Sequence, residues 1–339
     1  MLAALDFGEE TVSVLVAEQK EGRHRVLSLG ETPARGIRGG RVENVGDAAE
    51  CIAASVRSAE ENSGVLIRSL YYNFFDPDLE SVVSRGSKIL KGEGQIRDSD
   101  LKEVRQIAER TVGHFEKSIV YARESGYTID DRDFLINPLG IFGRKIDVEM
   151  RILLAVSAHC DAWQRITARA GIQRAVPVAA SWSAAYGTLP REDRRRPRLL
   201  VVVDRDHLNI FIFGNNMITD HRVLAFEPGQ SAPEKQAQAF EAVREWATSD
   251  RMTFDQILLT GHPFLNVQSL REWQERLGKQ VTQAGPTAVA GLEDPRRTKL
   301  VGLLLVADEL ESSSPILHKE KGIFPGVKKR AASFFSDYF

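Results

Sequence analysis

The sequence is poor in cysteine and has no long apolar segment. Only two of its 339 residues are cysteines, Cys51 and Cys160, and they lack the spacing of a metal site. We expect both to pack in the interior of a protein that folds in a reducing compartment. No window of about 18 apolar residues occurs, so no segment is predicted to span a bilayer. The chain enters a strand-like run, Leu2 to Leu5, without a charged leader, so no signal peptide is predicted.

An excess of charge of one sign is also missing. Lysine and arginine total 45 and aspartate and glutamate 47, which gives a formal net charge of −2 and a pI of about 6.4. The basic surplus that is typical of nucleic-acid-binding proteins is therefore absent. Hydrophobic residues make up 42% and charged residues 27%, as in an ordinary globular protein. The length predicts two or more subdomains, because single cores stop growing at about 250–300 residues.

The sequence shows no catalytic base, nucleophile or metal cluster. His207 and His262 each stand alone beside a turn, and a lone histidine at a turn is usually solvated. The residues taken by themselves therefore do not predict an enzyme.

Two parts of the chain open in the same way, with a strand, an aspartate, a turn and a returning strand. Near the N-terminus the strand Leu2–Leu5 meets Asp6, and alternation resumes at Val12. In the second half the apolar run Leu199–Val203 meets a turn predicted over Asp204–Asn209. A hairpin partner is predicted to follow over Ile210–Phe213. Asp6 and Asp204 also fit the simpler interpretation that each caps its turn.

Other periodic segments complete the sequence interpretation. Helices are predicted over residues 47–62, 99–111, 233–248, 269–277 and 298–308, and further strands over residues 71–75, 118–121, 126–129, 148–154 and 257–259. In residues 82–165 strands and a charged helix interleave without long crossovers, which indicates a small α+β insert.

The paired openings resemble those of the actin/Hsp70/sugar-kinase superfamily. Four further segments, in order, are similar to motifs of the FtsA family: Pro33-Ala34-Arg35-Gly36-Ile37-Arg38-Gly39-Gly40, Ser84-Arg85-Gly86, Asn137-Pro138-Leu139-Gly140 with Gly143, and Leu258-Leu259-Thr260-Gly261. The resemblance implies an α/β, actin-like (ribonuclease-H-like) two-lobed fold with an FtsA-type α+β insert subdomain and a C-terminal amphipathic helix.

The resemblance also implies a domain organisation. It gives lobe 1 at 1–81, the insert (an SHS2 domain) at 82–165, lobe 1 again at 166–197, a reduced lobe 2 at 198–292, a return to lobe 1 at 293–308, a polar linker at 309–321 and a terminal segment at 322–339. In the family the insert contacts the next subunit of a filament, so self-association is expected. A divisome-type context follows from the same resemblance.

One small subdomain of the second lobe is expected to be missing. After Phe226-Glu227-Pro228-Gly229 the chain passes directly into the predicted helix at 233–248. In FtsA the missing lobe receives the tail of the tubulin-like protein FtsZ. Its absence argues against FtsZ binding by that surface.

The resemblance assigns Asp6, Gly8, Glu9, Glu10, Thr11, Asp204 and Gly261 to the nucleotide site. Glu9 and Glu10 stand where the family has hydroxyl residues, and a like-charge pair costs about 4 kcal/mol at 4 Å and an effective dielectric near 20. The second turn has no glycine, and Pro263 removes a donor after Gly261. We therefore expect no cofactor and no ATP turnover, with ATP and Mg²⁺ binding as the alternative.

The last residues predict a membrane-binding helix. Val327, Ala331, Phe334, Phe335 and Tyr338 share one helical face, beside Lys328, Lys329 and Arg330. A short helix with aromatic and basic faces lies flat at an anionic membrane surface, here the cytoplasmic face of the inner membrane. Packing of this helix on its own domain is the alternative.

These inferences lead to three hypotheses. The first is a membrane-bound, FtsA-like, actin-related scaffold acting in bacterial cell division or a related envelope process. The second is a PilM-like peptide-binding component of a type IV pilus or secretion platform. The third is an active, ATP-binding FtsA.

Overall fold

The chain folds into two compact units. The computed structural model describes residues 1–20, 23–112, 116–132, 134–227, 229–249, 253–262, 265–286 and 289–313, without the side chains of Lys91, Glu93 and Ser313. The core unit comprises Met1–Asp78 and the described residues from His159 onward, and the insert unit comprises Leu79–Ala158. Cys51 and Cys160 are both buried free thiols of the core unit.

The described residues form sixteen strands and seven α-helices. The strands are β1 (Leu2–Phe7), β2 (Thr11–Lys20), β3 (Arg23–Pro33), β4 (Ile37–Arg38), β5 (Arg41–Val42), β6 (Ser69–Phe74), β7 (Glu80–Gln95), β8 (Lys117–Ile129), β9 (Phe134–Leu135), β10 (Phe142–Val156), β11 (Arg174–Ala179), β12 (Arg198–Val203), β13 (His207–Gly214), β14 (Met217–Ala225), β15 (Gln256–Gly261) and β16 (Gln280–Gln283). The helices are α1 (Val45–Ser63), α2 (Asp98–Val112), α3 (Ser157–Arg169), α4 (Ala180–Thr188), α5 (Ala232–Ala247), α6 (Val267–Leu277) and α7 (Thr298–Ser313).

The first sheet of the core unit has the strand order β11-β6-β1-β2-β3. Helix α1 packs against β2 and β3 through a buried stripe that includes Ile52 and Val56. The helix begins at Asn44, whose side chain accepts hydrogen bonds from the N–H groups of Gly46 and Asp47, and ends at Gly64 with a positive φ of 68°. These caps set the two ends of the helix that covers the first sheet.

The second sheet has the order β14-β13-β12-β15-β16. One of its faces supplies Leu199, Val201 and Ile210 to a core that α5 and α6 complete with Phe240 and Trp273. On the other side α4 contacts strands of both sheets, and α7 packs along α4, β1 and β6. The continuous burial of β12 and β13 agrees with a strand covered on both faces.

The insert unit is a four-stranded sheet, β7-β10-β8-β9, with α2 on one face. Its core includes Val104, Ile146 and Ile152. Gly86 belongs to the Ser-Arg-Gly motif, and a Cβ there would lie 2.2 Å from the carbonyl oxygen of Val104, so the glycine lets α2 approach β7. The packing of α2 on β7 therefore explains the glycine of this motif.

The fold confirms the expected α/β, actin-like class with an insert, and several boundaries need correction. The predicted strands at 118–121 and 126–129 are one strand, β8, whose bulges against β10 break the alternation. Strand β3 was not predicted. The second turn covers only Asp204–Asp206, because β13 begins at His207, which pairs with Ala225 of β14, and Leu208 pairs with Val203 of β12.

Two domain boundaries also differ from expectation. The insert unit ends at Ala158 rather than 165, since α3 belongs to the core unit, where Trp163 contacts Phe7 and stacks on Tyr72. The expected polar linker from 309 begins as helix, because α7 continues to Ser313 and Tyr186 Oη and Tyr71 Oη donate hydrogen bonds to Glu309 and Glu311.

The connection that was expected to lack a small subdomain is short in the structure as well. Only residues 226–231 separate β14 from α5. None of the described helices has the length and apolar character needed to cross a membrane.

Candidate functional site

The first turn of the candidate site joins β1 to β2. Asp6 is the last residue but one of β1 and is buried, and Asn73 Nδ2 on β6 donates a hydrogen bond of 3.1 Å to its Oδ1. Burial raises the pKa of Asp6, while the nearby charge of Lys299 opposes that rise. The Gly8 N–H donates to the Thr11 carbonyl oxygen at 3.0 Å, so the turn closes on itself.

The carboxylate of Glu9 reaches the second turn, between β12 and β13. It accepts a hydrogen bond of 2.7 Å from the Arg205 N–H and one of 3.3 Å from the Asp206 N–H. Glu10 makes a more exposed ion pair of 3.0 Å with the Arg205 guanidinium. Two consecutive backbone N–H groups directed at one group form a small anion-binding site, and here a side chain of the same protein fills it.

Lys299, in the first turn of α7, compensates the acidic side of the site. Its Nζ lies 3.0 Å and 3.1 Å from the two carboxylate oxygens of Asp204. Burial by itself would raise the pKa of Asp204, but the charges of Lys299 and His207 outweigh it and hold that pKa far below its ordinary value. Burial by itself would lower the pKa of Lys299, but Asp204 and Asp6 outweigh it and raise that pKa. The ammonium and both aspartates therefore form one largely buried charge cluster.

His207 belongs to the same cluster, and the expectation that it is solvated is wrong. Its side chain is only 8% exposed, and its Nε2 lies 3.1 Å from Asp204 Oδ2. The ring stacks on Phe75 with a centroid separation of 4.1 Å. Burial by itself would lower the pKa of His207, but Asp204 and Asp206 outweigh it and raise the pKa. His262, by contrast, is exposed as expected.

Gly261 has a structural role at the end of β15. Its φ is +91°, and a Cβ there would lie 2.3 Å from the carbonyl oxygen of Val203. The next residue, His262, donates its N–H to the same oxygen at 2.8 Å. The adjoining cavity, between Val203 and Gln283, has a volume of about 10 Å³. Ligand pockets measure about 300–1,000 Å³, so this cavity is far too small for a nucleoside.

Among the residues that the structure describes, two groups have the composition of a metal site. Glu9, Asp206 and His207 form one, and Asp76, Asp78 and His159 form the other, with ligand atoms within 4.8 Å of each other. In the first group Glu9 already binds two N–H groups. In the second group Asp76 accepts from the Asp78 N–H and contacts His159 Nδ1 at 3.0 Å. Each group is held together by its own hydrogen bonds.

The structure brings together the acidic residues of the predicted site. Its glycines have structural roles in the backbone instead. Asp6, Glu9, Glu10 and Asp204 converge on the two turns. Gly8 and Thr11 close the first turn. The predicted membrane-binding residues Val327, Lys328, Lys329, Arg330, Phe334, Phe335 and Tyr338 lie outside the described residues.

Sequence reasoning missed Lys299 altogether. The available signal was a single lysine ahead of the apolar run Leu300–Val306 in α7. A lysine at the edge of a buried helix needs a carboxylate partner.

A family comparison identifies the insert. Residues 77–154 match the model of the SHS2 domain inserted in FtsA. Among curated proteins, the cell division protein FtsA of Borreliella burgdorferi is 24% identical over 215 residues, which cover 63% of this chain and 52% of the relative. FtsA of Pseudomonas aeruginosa is 21% identical over 225 residues, covering 66% and 54%. The chain thus spans about half the length of the curated relatives it matches.

Solved structures agree on the fold. A chain of the PilM-PilN type IV pilus biogenesis complex superposes with a TM-score of 0.65 at 12% identity, over 90% of this chain and 98% of that one. The ethanolamine utilization protein EutJ from Carboxydothermus hydrogenoformans gives 0.51 at 11% identity, over 90% and 89%. The chain is therefore a divergent relative that resembles the cell division protein FtsA, with an FtsA-type SHS2 domain inserted in an actin-like fold.

Proposed function

We propose that this protein is an FtsA-like, actin-related scaffold that works at the cytoplasmic face of the cell membrane, in cell division or a related envelope process, without nucleotide turnover. The SHS2 domain and the curated relatives named as cell division proteins support the cytoskeletal part of the proposal. The site geometry supports the loss of turnover.

The observation that carries the proposal is that the protein's own side chains occupy two positions in the turns: a carboxylate fills the anion position and an ammonium fills the cation position. The Glu9 carboxylate sits on the N–H groups of Arg205 and Asp206, where a phosphate oxygen would otherwise bind. The Lys299 ammonium neutralises Asp204, where a divalent cation would otherwise be attracted. A triphosphate with Mg²⁺ would have to displace a carboxylate and a buried ammonium, and separating such a buried pair costs about 3–5 kcal/mol.

Titration calorimetry with ATP and Mg²⁺ tests the loss of nucleotide binding. We expect no binding heat up to millimolar ATP. A Glu9→Ser variant, which frees the two N–H groups, serves as the comparison, with Glu10→Ser as its matched control. Micromolar affinity of the unaltered protein for ATP would favour the third hypothesis, an active ATP-binding FtsA, and overturn this part of the proposal.

Membrane attachment is proposed for residues 322–339. Their aromatic face and basic residues support it, because each basic residue near anionic lipid adds about 1 kcal/mol. We expect Phe334→Asp with Phe335→Asp to move the protein into the soluble fraction of lysed cells. Ser333→Asp with Ser336→Asp is the matched control, since it adds the same charge off the apolar face. Membrane retention of the phenylalanine variant would contradict the assignment.

Self-association is proposed through the insert unit. A set of large apolar side chains is exposed there, from 39% to 80%: Ile89, Phe134, Ile136, Leu139, Ile141 and Phe142. Large apolar side chains that are exposed together on one unit support a contact surface there. We expect Ile136→Ser with Phe142→Ser to abolish concentration-dependent assembly in analytical ultracentrifugation, and unchanged assembly would argue against this surface.

A PilM-like component of a type IV pilus platform is the second candidate. The observation in its favour is the coverage, since a chain of the PilM-PilN complex is matched over 98% of its length and the curated FtsA relatives over about half of theirs. A fluorescent fusion separates the two candidates. A band at the division site supports the scaffold proposal, and a distribution that ignores the division site supports the second candidate. Binding of FtsZ is not part of the proposal, because residues 226–231 leave no room for the lobe that would hold it.

A further inference from the structure

The loop between α4 and β12 concentrates positive charge. Residues 190–198 contain five arginines and two carboxylates, in a chain whose net charge is −2. Arg191, Arg195 and Arg196 are exposed. Within the described part of the chain, no carboxylate forms an ion pair with any of these three side chains. Unpaired like charges held close together repel one another, and an external anion relieves that repulsion.

The loop is fixed in place. The N–H groups of Asn215 and Asn216, at the tip of the β13–β14 hairpin, donate to the carbonyl oxygens of Arg195 and Arg194 at 3.1 Å and 3.0 Å. The Arg196 N–H closes a turn onto the Asp193 carbonyl oxygen at 3.1 Å. A fixed backbone reduces the ordering cost when the exposed arginines meet a ligand.

A chain of contacts joins the loop to the end of α7. The Arg194 guanidinium lies over the Tyr186 ring, 3.8 Å from its centroid. Tyr186 Oη donates a hydrogen bond of 2.7 Å to Glu309, in the last turns of α7. From that helix end the sequence continues into residues 314–339, which contain Lys319, Lys321, Lys328, Lys329 and Arg330. The arginine loop and the described end of α7 therefore lie at the same end of the core unit.

We propose that Arg191, Arg195 and Arg196 form a second membrane-contact surface, which binds the headgroups of anionic lipids. This inference rests on the proposed membrane attachment and adds a place on the folded core that faces the lipid. An arginine fork binds phosphate oxygens in pairs, and a negatively charged membrane attracts basic groups within a Debye length of its surface. A membrane fits better than a nucleic acid, because the chain as a whole carries no basic surplus and the loop is small.

Vesicle sedimentation of the full chain tests the surface. The vesicles contain phosphatidylglycerol mixed with phosphatidylcholine, and pure phosphatidylcholine vesicles are the neutral reference. The variant Arg191→Ser, Arg195→Ser, Arg196→Ser is expected to bind anionic vesicles roughly a hundredfold more weakly, at about fivefold for each arginine. The matched control Arg110→Ser, Arg144→Ser, Arg271→Ser removes the same charge from exposed positions elsewhere and is expected to bind like the unaltered protein.

A second variant separates charge from folding. Replacing the same three arginines with lysine keeps the charge, so most of the binding is expected to return. Circular dichroism verifies that each variant is folded.

The outcomes distinguish this inference from the proposal on which it rests. If the serine variant binds anionic vesicles as well as the control does, the arginine surface is refuted, even when the Phe334 and Phe335 variant detaches. If the unaltered protein binds no vesicles at all, the membrane proposal and this inference both fail. If the arginines are needed for binding a short DNA duplex but not for binding vesicles, the loop is a nucleic-acid surface and the inference is overturned.

Discussion

The two sheets of the core unit have the same topology and complementary turns. In the orders β3-β2-β1-β6-β11 and β14-β13-β12-β15-β16, the first three strands are antiparallel and the last three parallel. Each sheet has a three-residue turn after its central strand, Gly8–Glu10 in the first and Asp204–Asp206 in the second. The first turn supplies a carboxylate, and the second supplies the N–H groups that bind it. The two sheets thus share one topology, but one turn presents a hydrogen-bond acceptor and the other presents the donors that bind it.

The largest expected effect comes from removing the cation that serves both turns. Lys299→Met leaves Asp204 buried without its partner, so we expect the free energy of unfolding to fall by about 3–5 kcal/mol. Urea denaturation measures it.

Lys279→Met is the control, because Lys279 is also partly buried but donates to the uncharged Phe254 carbonyl oxygen instead of to a carboxylate. Its expected cost is about 1 kcal/mol. Adding Asp204→Asn to the Lys299 variant should restore part of the stability. A loss below about 1 kcal/mol for Lys299→Met would show that the Asp204 carboxylate does not depend on the Lys299 charge.

The second largest loss of stability is expected at the end of β15. The strand at the same place in the first sheet, β6, ends at Phe74 instead of at a glycine. Gly261→Ala forces a Cβ against the Val203 carbonyl oxygen and strains a positive φ. We expect a loss of about 3 kcal/mol.

Gly278→Ala is the matched control, since Gly278 also has a positive φ but no atom within 4 Å of the added Cβ. It is expected to cost about 1 kcal/mol. Equal losses in the two variants would mean that φ alone matters and that the close approach to Val203 does not.

The third effect comes from the link between the turns. Glu9→Gln keeps the shape of the side chain but removes the charge that the N–H groups of Arg205 and Asp206 bind. We expect the free energy of unfolding to fall by about 1–2 kcal/mol.

Glu10→Gln is expected to cost less than about 0.5 kcal/mol, because its ion pair with Arg205 is exposed. If both variants lose the same amount, the Glu9 contact does not differ from an ordinary surface pair.

The smallest effect is a difference in pH dependence between two histidines of the second sheet. Because the pKa of His207 is raised in the folded protein, its contribution is complete below about pH 6.5 and disappears as the pH rises through the raised value. Burial lowers the pKa of His221 to about 4, so its contribution is complete above about pH 6.5 and disappears as the pH falls towards 4.

Urea denaturation across the pH range tests this prediction. His207→Gln should flatten the decline on the alkaline side, and His221→Phe should flatten it on the acid side. Neither slope should exceed about 1.4 kcal/mol per pH unit. Exchanged effects of the two variants would contradict the assignment.

Local patterns identified most of the fold. The strand–Asp–turn openings placed β1, β2 and β12, and the helical periods placed α1, α2, α5, α6 and α7 within a few residues. The motif around Gly86 marked the insert, because helix packing on a strand requires a glycine there. Strand β3 and the continuity of β8 were missed, since a bulge interrupts the alternation that predicts a strand.

The candidate site was only half predictable. In the sequence Asp6 and Asp204 come at the ends of apolar runs, and Glu9 and Glu10 stand in the turn after the first run, so the sequence indicated two acidic turns. The partner of those acids could not be predicted, because Lys299 is 95 residues from Asp204 along the chain and only the packing of α7 brings it there. His207 was misread for the same reason, since the ring that stacks on it, Phe75, is far away along the chain.

By itself the sequence determined the two strand–turn–strand openings, the insert and the acidic, glycine-poor character of the turns, because these depend on neighbours within a few residues. Only the tertiary structure decided that the acidity is internally neutralised. The Glu9 carboxylate meets N–H groups 196 and 197 residues away, and hydrogen bonds and Coulomb forces act over a few ångströms of space, whatever the separation in the chain.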